Sequence, residues 1–168
     1  MSTIFRTGLV GAILAASAVF STGSISTPYY YETLIVSGLD CQSGTRNAWD
    51  VGEPLGYTTT GIVNRSRRED ARANCPLAVP DTGTYVVNAV ISANNRSDGG
   101  RVRCRLIEVD ALTGVEVRRY GEAVRVDRNS TGLITWYDIE RTVAESFFTA
   151  SCRLLPGTGV VSISVAAS

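Results

Sequence analysis

The sequence predicts an all-β protein: an antiparallel two-sheet sandwich, immunoglobulin-like or jelly-roll-like, with about eight strands. Short stretches rich in β-forming residues recur along the chain, separated by the Gly, Pro, Asn and Asp residues typical of turns. No stretch has the apolar periodicity of a long helix, which argues against a parallel sheet with crossover helices. Four cysteines follow an apolar N-terminal segment, and this predicts that disulfides staple the sandwich.

Residues 1–26 are predicted to be a signal peptide. Arg6 precedes an apolar run at 9–20, which at about twelve residues is too short to span a bilayer core of roughly 30 Å as a helix. The small residues that follow place the cleavage between 18 and 26. The mature chain, 27–168, is therefore expected to be a single domain, secreted to the periplasm or outside the cell and without a transmembrane segment.

The predicted strands follow one another with short connections. Residues 101–110 and 115–126 form a predicted hairpin across the sequence DALTG, in which Gly114 supplies the positive φ of the turn. Residues 138–148 carry apolar side chains at helical spacing, which leaves one or two helical turns open there. The strand segments are 29–37, 56–63, 70–80, 84–93, 101–110, 115–126, 133–140, 146–155 and 159–166.

Strand alternation favours one of the three possible pairings of the cysteines. Cys104 and Cys152 each alternate in phase with apolar neighbours, so both point toward the core and favour a Cys104–Cys152 bond. Cys41 and Cys75 lie near segment ends and are expected to pair with each other. Because the chain has no histidine and no C-x-x-C spacing, a zinc site is not expected, and neither is any other metal or a cofactor.

Arg101, Arg103 and Arg105 alternate with buried positions of one predicted strand. All 16 basic residues are arginine and 16 acidic residues balance them, so no net charge steers nucleic acid or an anionic membrane to the chain, and nucleic acid is not an expected partner. We expect the three arginines to form the solvated face of the strand, balanced by acids close in sequence such as Glu108. The alternative is a strip that binds a polyanion.

Two tryptophans are the candidate ligand-binding aromatics. Trp49 lies in a polar, glycine-containing loop, and Trp136 alternates in phase with Asp138. A tryptophan exposed beside a carboxylate is the kind of surface on which a sugar ring stacks. Trp49, Trp136 and Asp138 are therefore candidate ligand-binding residues. The alternative is that a tryptophan caps the end of the sandwich, or that a bulge shifts the alternation and buries it.

The search for catalytic residues is mostly negative. Without histidine there is no Ser-His-Asp triad. The acidic pairs Asp138/Glu140 and Glu69/Asp70 could act as acid and base in a glycosidase. The segment NNRSDGG at 94–100 loosely matches a calcium loop but lacks the terminal bidentate acid, so we expect a polar hairpin loop. In a eukaryotic secretory pathway glycans would be expected on the sequons at Asn64, Asn95 and Asn129.

Three segments carry a resemblance: NCPLAVPDTGTYVVNAVI, VRCRLIEVDALTG and CRLLPGTGVVSISV. Their Cys-Pro-Leu stretch, Cys-x-Leu strand with an Asp-x-x-x-Gly turn, and final Cys-x-Leu-x-Pro-Gly strand pair resemble a group of small exported bacterial β-sandwich proteins, mostly uncharacterised. The resemblance covers residues 56–166 and implies an exported bacterial β-sandwich, in which the sequons are turn residues. It implies no activity.

These observations predict a non-enzymatic secreted or envelope module with an interaction or structural role, whose partner is a protein or a glycan at the cell envelope. One alternative is a carbohydrate-binding module that uses exposed tryptophans. The other is a small hydrolase that uses a carboxylate pair.

Overall fold

The computed structural model describes residues 33–44, 55–80 and 82–168, which lie within one compact unit. The predicted signal peptide and Trp49 lie outside the described residues. No helix among the described residues is long and apolar enough to cross a membrane. Those residues form one short 3₁₀ helix (Gly38–Asp40) and these strands: β1 (Leu34–Ser37), β2 (Gln42–Ser43), β3 (Leu55–Thr58), β4 (Gly61–Asn64), β5 (Ala71–Leu77), β6 (Tyr85–Ala93), β7 (Gly100–Asp110), β8 (Glu116–Val126), β9 (Thr131–Ile139), β10 (Ser146–Leu154) and β11 (Thr158–Ala167).

The strands form two antiparallel sheets, which confirms the predicted all-β sandwich in its jelly-roll-like form. The six-stranded sheet has the order β3-β4-β11-β6-β9, with β1 also pairing with β11. The five-stranded sheet has the order β2-β5-β10-β7-β8. Side chains alternate between buried and exposed along β5, β7 and β10, so each of these strands has one face toward the core and one toward solvent.

Both disulfides lie in the core. Cys41 is joined to Cys75, and Cys104 to Cys152, with all four residues buried. Cys104 and Cys152 stand directly opposite each other on β7 and β10. These are the pairs that strand alternation favours.

The segment 56–63 is a hairpin, so its prediction as a single strand is wrong. β3 and β4 pair around Thr59 and Thr60, and Thr58 Oγ1 lies 3.1 Å from the Gly61 carbonyl oxygen, which it bonds across the turn. A Cβ atom at Gly61 would lie 2.1 Å from the Val160 carbonyl oxygen, because β4 packs closely beside β11 here. Glycine permits this approach.

The segment 94–100 connects the two sheets, so the expected hairpin is wrong here too. β6 belongs to the six-stranded sheet and β7 to the five-stranded sheet. The loop's oxygens are used within it: Asn94 Oδ1 accepts from the Arg96 N–H at 2.8 Å, and Ser97 Oγ accepts from the Gly99 N–H at 3.1 Å. Within the part of the chain that the structure describes, no group of His, Cys, Asp or Glu residues could hold a metal ion.

Glu108 is buried on the core side of β7, which corrects its expected place as a solvent-exposed counter-charge to the arginines. Its Oε1 accepts hydrogen bonds from the Thr142 and Val143 N–H groups at 2.8 and 3.2 Å and from Ser146 Oγ at 2.7 Å, while Oε2 accepts from Thr142 Oγ1 at 2.6 Å. Burial by itself would raise the pKa of Glu108, but these hydrogen bonds outweigh it and lower the pKa below its ordinary value. Residues 140–145 form a loop, in which the N–H groups of Thr142 and Val143 bond to this carboxylate and not to helical carbonyls.

Candidate functional site

The outer face of the five-stranded sheet carries the arginines that the sequence singled out. Arg101, Arg103 and Arg105 are exposed, while the residues between them on β7 are buried. The prediction that these arginines face solvent is confirmed. Their neighbours on the adjacent strands, however, come from distant parts of the sequence.

Arg153 on β10 stands opposite Arg72 of β5 on one side and opposite Arg103 of β7 on the other. Side chains of directly opposed residues share a face, with Cβ atoms about 5 Å apart. Arg72, Arg153 and Arg103 therefore form a row across three adjacent strands, which we call the arginine row. Sequence reasoning missed it because alternation shows which face a residue is on, and the strand order is needed to show its neighbours.

The row lies within a larger basic surface. Arg101 stands opposite Arg125, and Arg119 stands opposite Ile107, so β8 adds two more guanidinium groups to the same face. We call the outer face of the five-stranded sheet the arginine face, and its arginines are Arg72, Arg101, Arg103, Arg105, Arg119, Arg125 and Arg153.

Two adjacent cavities open on the arginine face. The first, of about 350 Å³, lies over the arginine row and is also lined by Arg105, Ser151 and Arg119. The second, of about 250 Å³, is lined by Arg101, Arg103, Arg105, Gly121, Glu122 and Ala123. Since Gly121 has no side chain, and a Cβ atom there would meet nothing within 4 Å, the sheet surface between the arginines is left uncovered.

Few carboxylates neutralise this surface. Arg153 Nε donates a hydrogen bond to Asp70 Oδ2 at 2.7 Å, and Arg125 Nε lies 3.6 Å from Asp127 Oδ1. Arg119 is paired with Glu116, whose hydrogen bond and charge raise the pKa of Arg119 above its ordinary value. The guanidinium groups of Arg72, Arg101, Arg103 and Arg105 have no hydrogen-bond or ion-pair partner among residues 33–44, 55–80 and 82–168.

The other end of the same sheet face carries an exposed aromatic ring. Phe147, which is 44% exposed, lies on β10 six residues before Arg153, a span of about 20 Å along a strand. It borders a cavity of about 580 Å³ that Pro76, Ala78 and Asp40 also line. The face thus combines an exposed aromatic ring with a group of cationic hydrogen-bond donors.

Trp136 is buried in the core, so the expectation that it is exposed is wrong. It is 3% exposed and stands opposite Val87 on the inner face of the six-stranded sheet. The alternation along β9 shifts at a bulge near Asp138, whose φ is 53°, so Ile139 is buried although Tyr137 is 68% exposed. Leu133 and Ile139 therefore lie on opposite faces of the sheet, and the assumption that regular alternation puts both in the core, with Trp136 outside it, is what fails.

The carboxylate pairs considered for catalysis do not line the cavities described here. Asp138 is exposed at the bulge, and Glu140 accepts a hydrogen bond from Thr84 Oγ1 at 3.0 Å. Asp70 accepts a hydrogen bond from Arg153, and Glu69 is exposed in the loop before β5.

The sequon asparagines differ in exposure. Asn64 is 1% exposed, and its amide donates to the carbonyl oxygens of Glu69 and Leu154 at 2.8 and 2.9 Å. A glycan at Asn64 would have to break this packing, so the expectation of a surface sequon is wrong there. Asn95 and Asn129 are exposed.

No protein-family model and no curated protein matches this sequence. Among solved structures, the chain is similar to the xylan-binding module CBM15, with 10% identity and a TM-score of 0.53 over 82% of this chain and 97% of that module. It also matches the module CBM6cm-2 from Cellvibrio mixtus lichenase 5A in complex with cellotriose, with 13% identity and a TM-score of 0.44 over 80% of this chain and 97% of that one. At these identities the comparison with CBM15 shows the fold alone: a carbohydrate-binding-module-like β-sandwich.

Proposed function

We propose that this chain is an exported, non-catalytic glycan-binding module that holds its ligand on the arginine face. The observation that carries the proposal is the open cavity of about 350 Å³ on that face, lined by arginine side chains and Ser151. The similarity in fold to a xylan-binding module supports the same class of function. The proposal replaces Trp136 as a ligand-binding residue, since its side chain is buried, whereas Trp49 lies outside the described residues.

The residues of this face suit a sugar chain. Guanidinium groups donate several hydrogen bonds in a plane, and the Ser151 hydroxyl both donates and accepts, so sugar hydroxyl and ring oxygens find partners in the cavity. Phe147, exposed at the far end of β10, offers a ring face on which a pyranose stacks. A ligand long enough to reach both ends of the sheet would contact both kinds of group.

Binding without catalysis is supported by the chemistry of the site. The chain has no histidine, and each cavity of the arginine face has one carboxylate residue in its lining: Glu116 in the first and Glu122 in the second. A glycosidase needs two carboxyl groups that flank the bond to be cleaved. The small-hydrolase alternative therefore has no support in these cavities.

Export is supported by the two buried disulfides, since such bonds persist in oxidising compartments. N-terminal sequencing of the secreted protein should begin between Val19 and Thr27. A protein recovered from the cytosol with Met1 still present would contradict this part of the proposal.

Retention on insoluble polysaccharides tests the function. We expect the secreted protein to sediment with at least one member of a panel that covers neutral and acidic glycans. Phe147→Ala should weaken that binding about fivefold, which corresponds to roughly 1 kcal/mol for a lost ring contact. Tyr137→Ala, which removes an even more exposed ring from the other sheet, is the control and should bind as the wild type does. Failure to bind any polysaccharide would refute the proposal.

A further inference from the structure

The arginine row is an arrangement that the fold alone does not favour. Like charges directly opposite each other on neighbouring strands are destabilising. Arg153 nevertheless has an arginine opposite it on both sides, Arg72 and Arg103. The only carboxylate that bonds Arg153 in the described part of the chain is that of Asp70, at the edge of the face.

The arginines are concentrated on this face by the fold, and the composition of the chain does not predict it. The whole chain has 16 basic and 16 acidic residues. Of the acids nearest to the row in sequence, Glu108 is buried on the opposite side of β7, and Asp110 accepts the N–H groups of Leu112 and Thr113 in the turn after β7. These two acids of β7 are thus turned away from Arg103, and Asp70 is the acid that bonds a member of the row.

Resting on the proposed function, we infer that the ligand is an anionic polysaccharide, whose carboxylate or sulfate groups bind the guanidinium groups of Arg72, Arg103 and Arg153. Guanidinium groups pair with such anions through two parallel hydrogen bonds. Positions on the face repeat about every 5 Å across strands and about every 7 Å along them. An array of this kind fits a ligand with many anionic groups along its length.

The two cavities of the arginine face share Arg103 and Arg105, which places them side by side on the sheet. A chain crossing the strands would occupy both, and Gly121 and Ala123 leave room for it close to the backbone. Neither cavity has an aromatic ring in its lining, so there is no platform for stacking nucleobases. This favours an acidic glycan over single-stranded nucleic acid.

The experiment compares two triple variants of the secreted protein. Arg72→Gln/Arg103→Gln/Arg153→Gln removes the arginine row. Arg67→Gln/Arg68→Gln/Arg96→Gln removes the same charge from exposed loop positions outside the five-stranded sheet. Thermal unfolding first verifies that each variant is folded. Each is then titrated by affinity electrophoresis and calorimetry against polygalacturonate, dextran sulfate, neutral dextran, neutral xylan and single-stranded DNA at 150 mM salt.

We expect polygalacturonate or dextran sulfate to bind the wild type at least tenfold more tightly than dextran, xylan or DNA, and binding to weaken as salt rises because screening reduces the attraction. The two acidic polymers distinguish carboxylate from sulfate as the preferred group. The row variant should lose at least tenfold in affinity, and the loop variant should stay within twofold of the wild type.

Three results would overturn the inference: a loss in the loop variant as large as in the row variant, tighter binding of DNA than of either acidic polysaccharide, or binding of neutral xylan that the row variant retains in full. The last of these leaves the glycan-binding function intact and removes only its anionic specificity. Absence of binding to every polysaccharide would remove the glycan-binding function as well.

Discussion

The two faces of β7 carry opposite charges, which differ in burial and in hydrogen bonding. On the inner face, the carboxylate of Glu108 is fully buried and accepts hydrogen bonds from Thr142, Val143 and Ser146. On the outer face, the guanidinium groups of Arg101 and Arg103 stand in solvent without a side-chain partner in the described part of the chain.

The difference shows which charge serves the fold and which is available to a ligand. A buried carboxylate is tolerated only when hydrogen bonds compensate for the lost hydration, and Glu108 uses those bonds to hold the loop at 140–145. An exposed guanidinium costs little and keeps its donors free. Changes on the inner face should therefore alter stability, and changes on the outer face should alter binding.

The largest loss of stability is expected from removing the inner-face disulfide. Cys104→Ala/Cys152→Ala opens a bond between residues 48 apart in sequence, and the chain-entropy relation assigns such a loop about 4 kcal/mol of unfolding free energy. Urea denaturation should show this decrease. Peptide mapping without reductant checks the premise: a peptide that links Cys41 to Cys152 would contradict the arrangement of the inner face.

The next largest effect is expected at Glu108. Glu108→Gln should lower the free energy of unfolding by about 2 kcal/mol, because the amide places two N–H donors where the carboxylate accepted hydrogen bonds. Glu145→Gln, an exposed change in the loop that Glu108 holds, is the control and should stay within about 0.5 kcal/mol of the wild type. Equal stability of the two variants would mean that the buried carboxylate is dispensable.

Protonation of Glu108 should also contribute to the pH dependence of stability. The folded-state pKa of Glu108 is lowered below its ordinary value of 4.5, so its stabilising contribution is fully present above that value and is lost as the pH falls through the folded-state pKa. The free energy of unfolding, measured as the pH is lowered below 4.5, should fall less steeply in Glu108→Gln than in the wild type. Parallel curves would show that another group controls acid unfolding.

The smallest effect on stability is expected on the outer face. The free energy of unfolding of the arginine-row variant should differ from that of the wild type by at most about 0.5 kcal/mol per site. We expect the variant to be the more stable protein, because like charges that oppose each other are removed. The same variant is expected to lose glycan affinity. A stability loss of several kcal/mol would show that these arginines maintain the sheet, and the contrast between the two faces of β7 would no longer hold.

The sequence by itself determined the two faces of a regular strand such as β7. Alternation within a strand has a period of two, so the burial of Val102, Cys104 and Leu106 and the exposure of the arginines between them follow from a short stretch of chain. The same reasoning favoured the cysteine pairs present in the structure. Local turn chemistry predicted Gly114, whose φ is 69°.

The tertiary structure decided the features that depend on which strands and loops lie next to each other. Trp136 is buried in phase with Ile134, and the bulge that follows it on β9 brings Ile139 into the core as well. This bulge depends on the pairing with β6, which no local pattern reveals. The loop at 140–145 depends on the carboxylate of Glu108, which is distant in sequence. The arginine row depends on β10 lying between β5 and β7, an order that a list of strands does not contain. Faces are set by the geometry of one strand, whereas neighbours are set by how the strands assemble, because a sheet joins residues through hydrogen bonds between segments far apart in the chain.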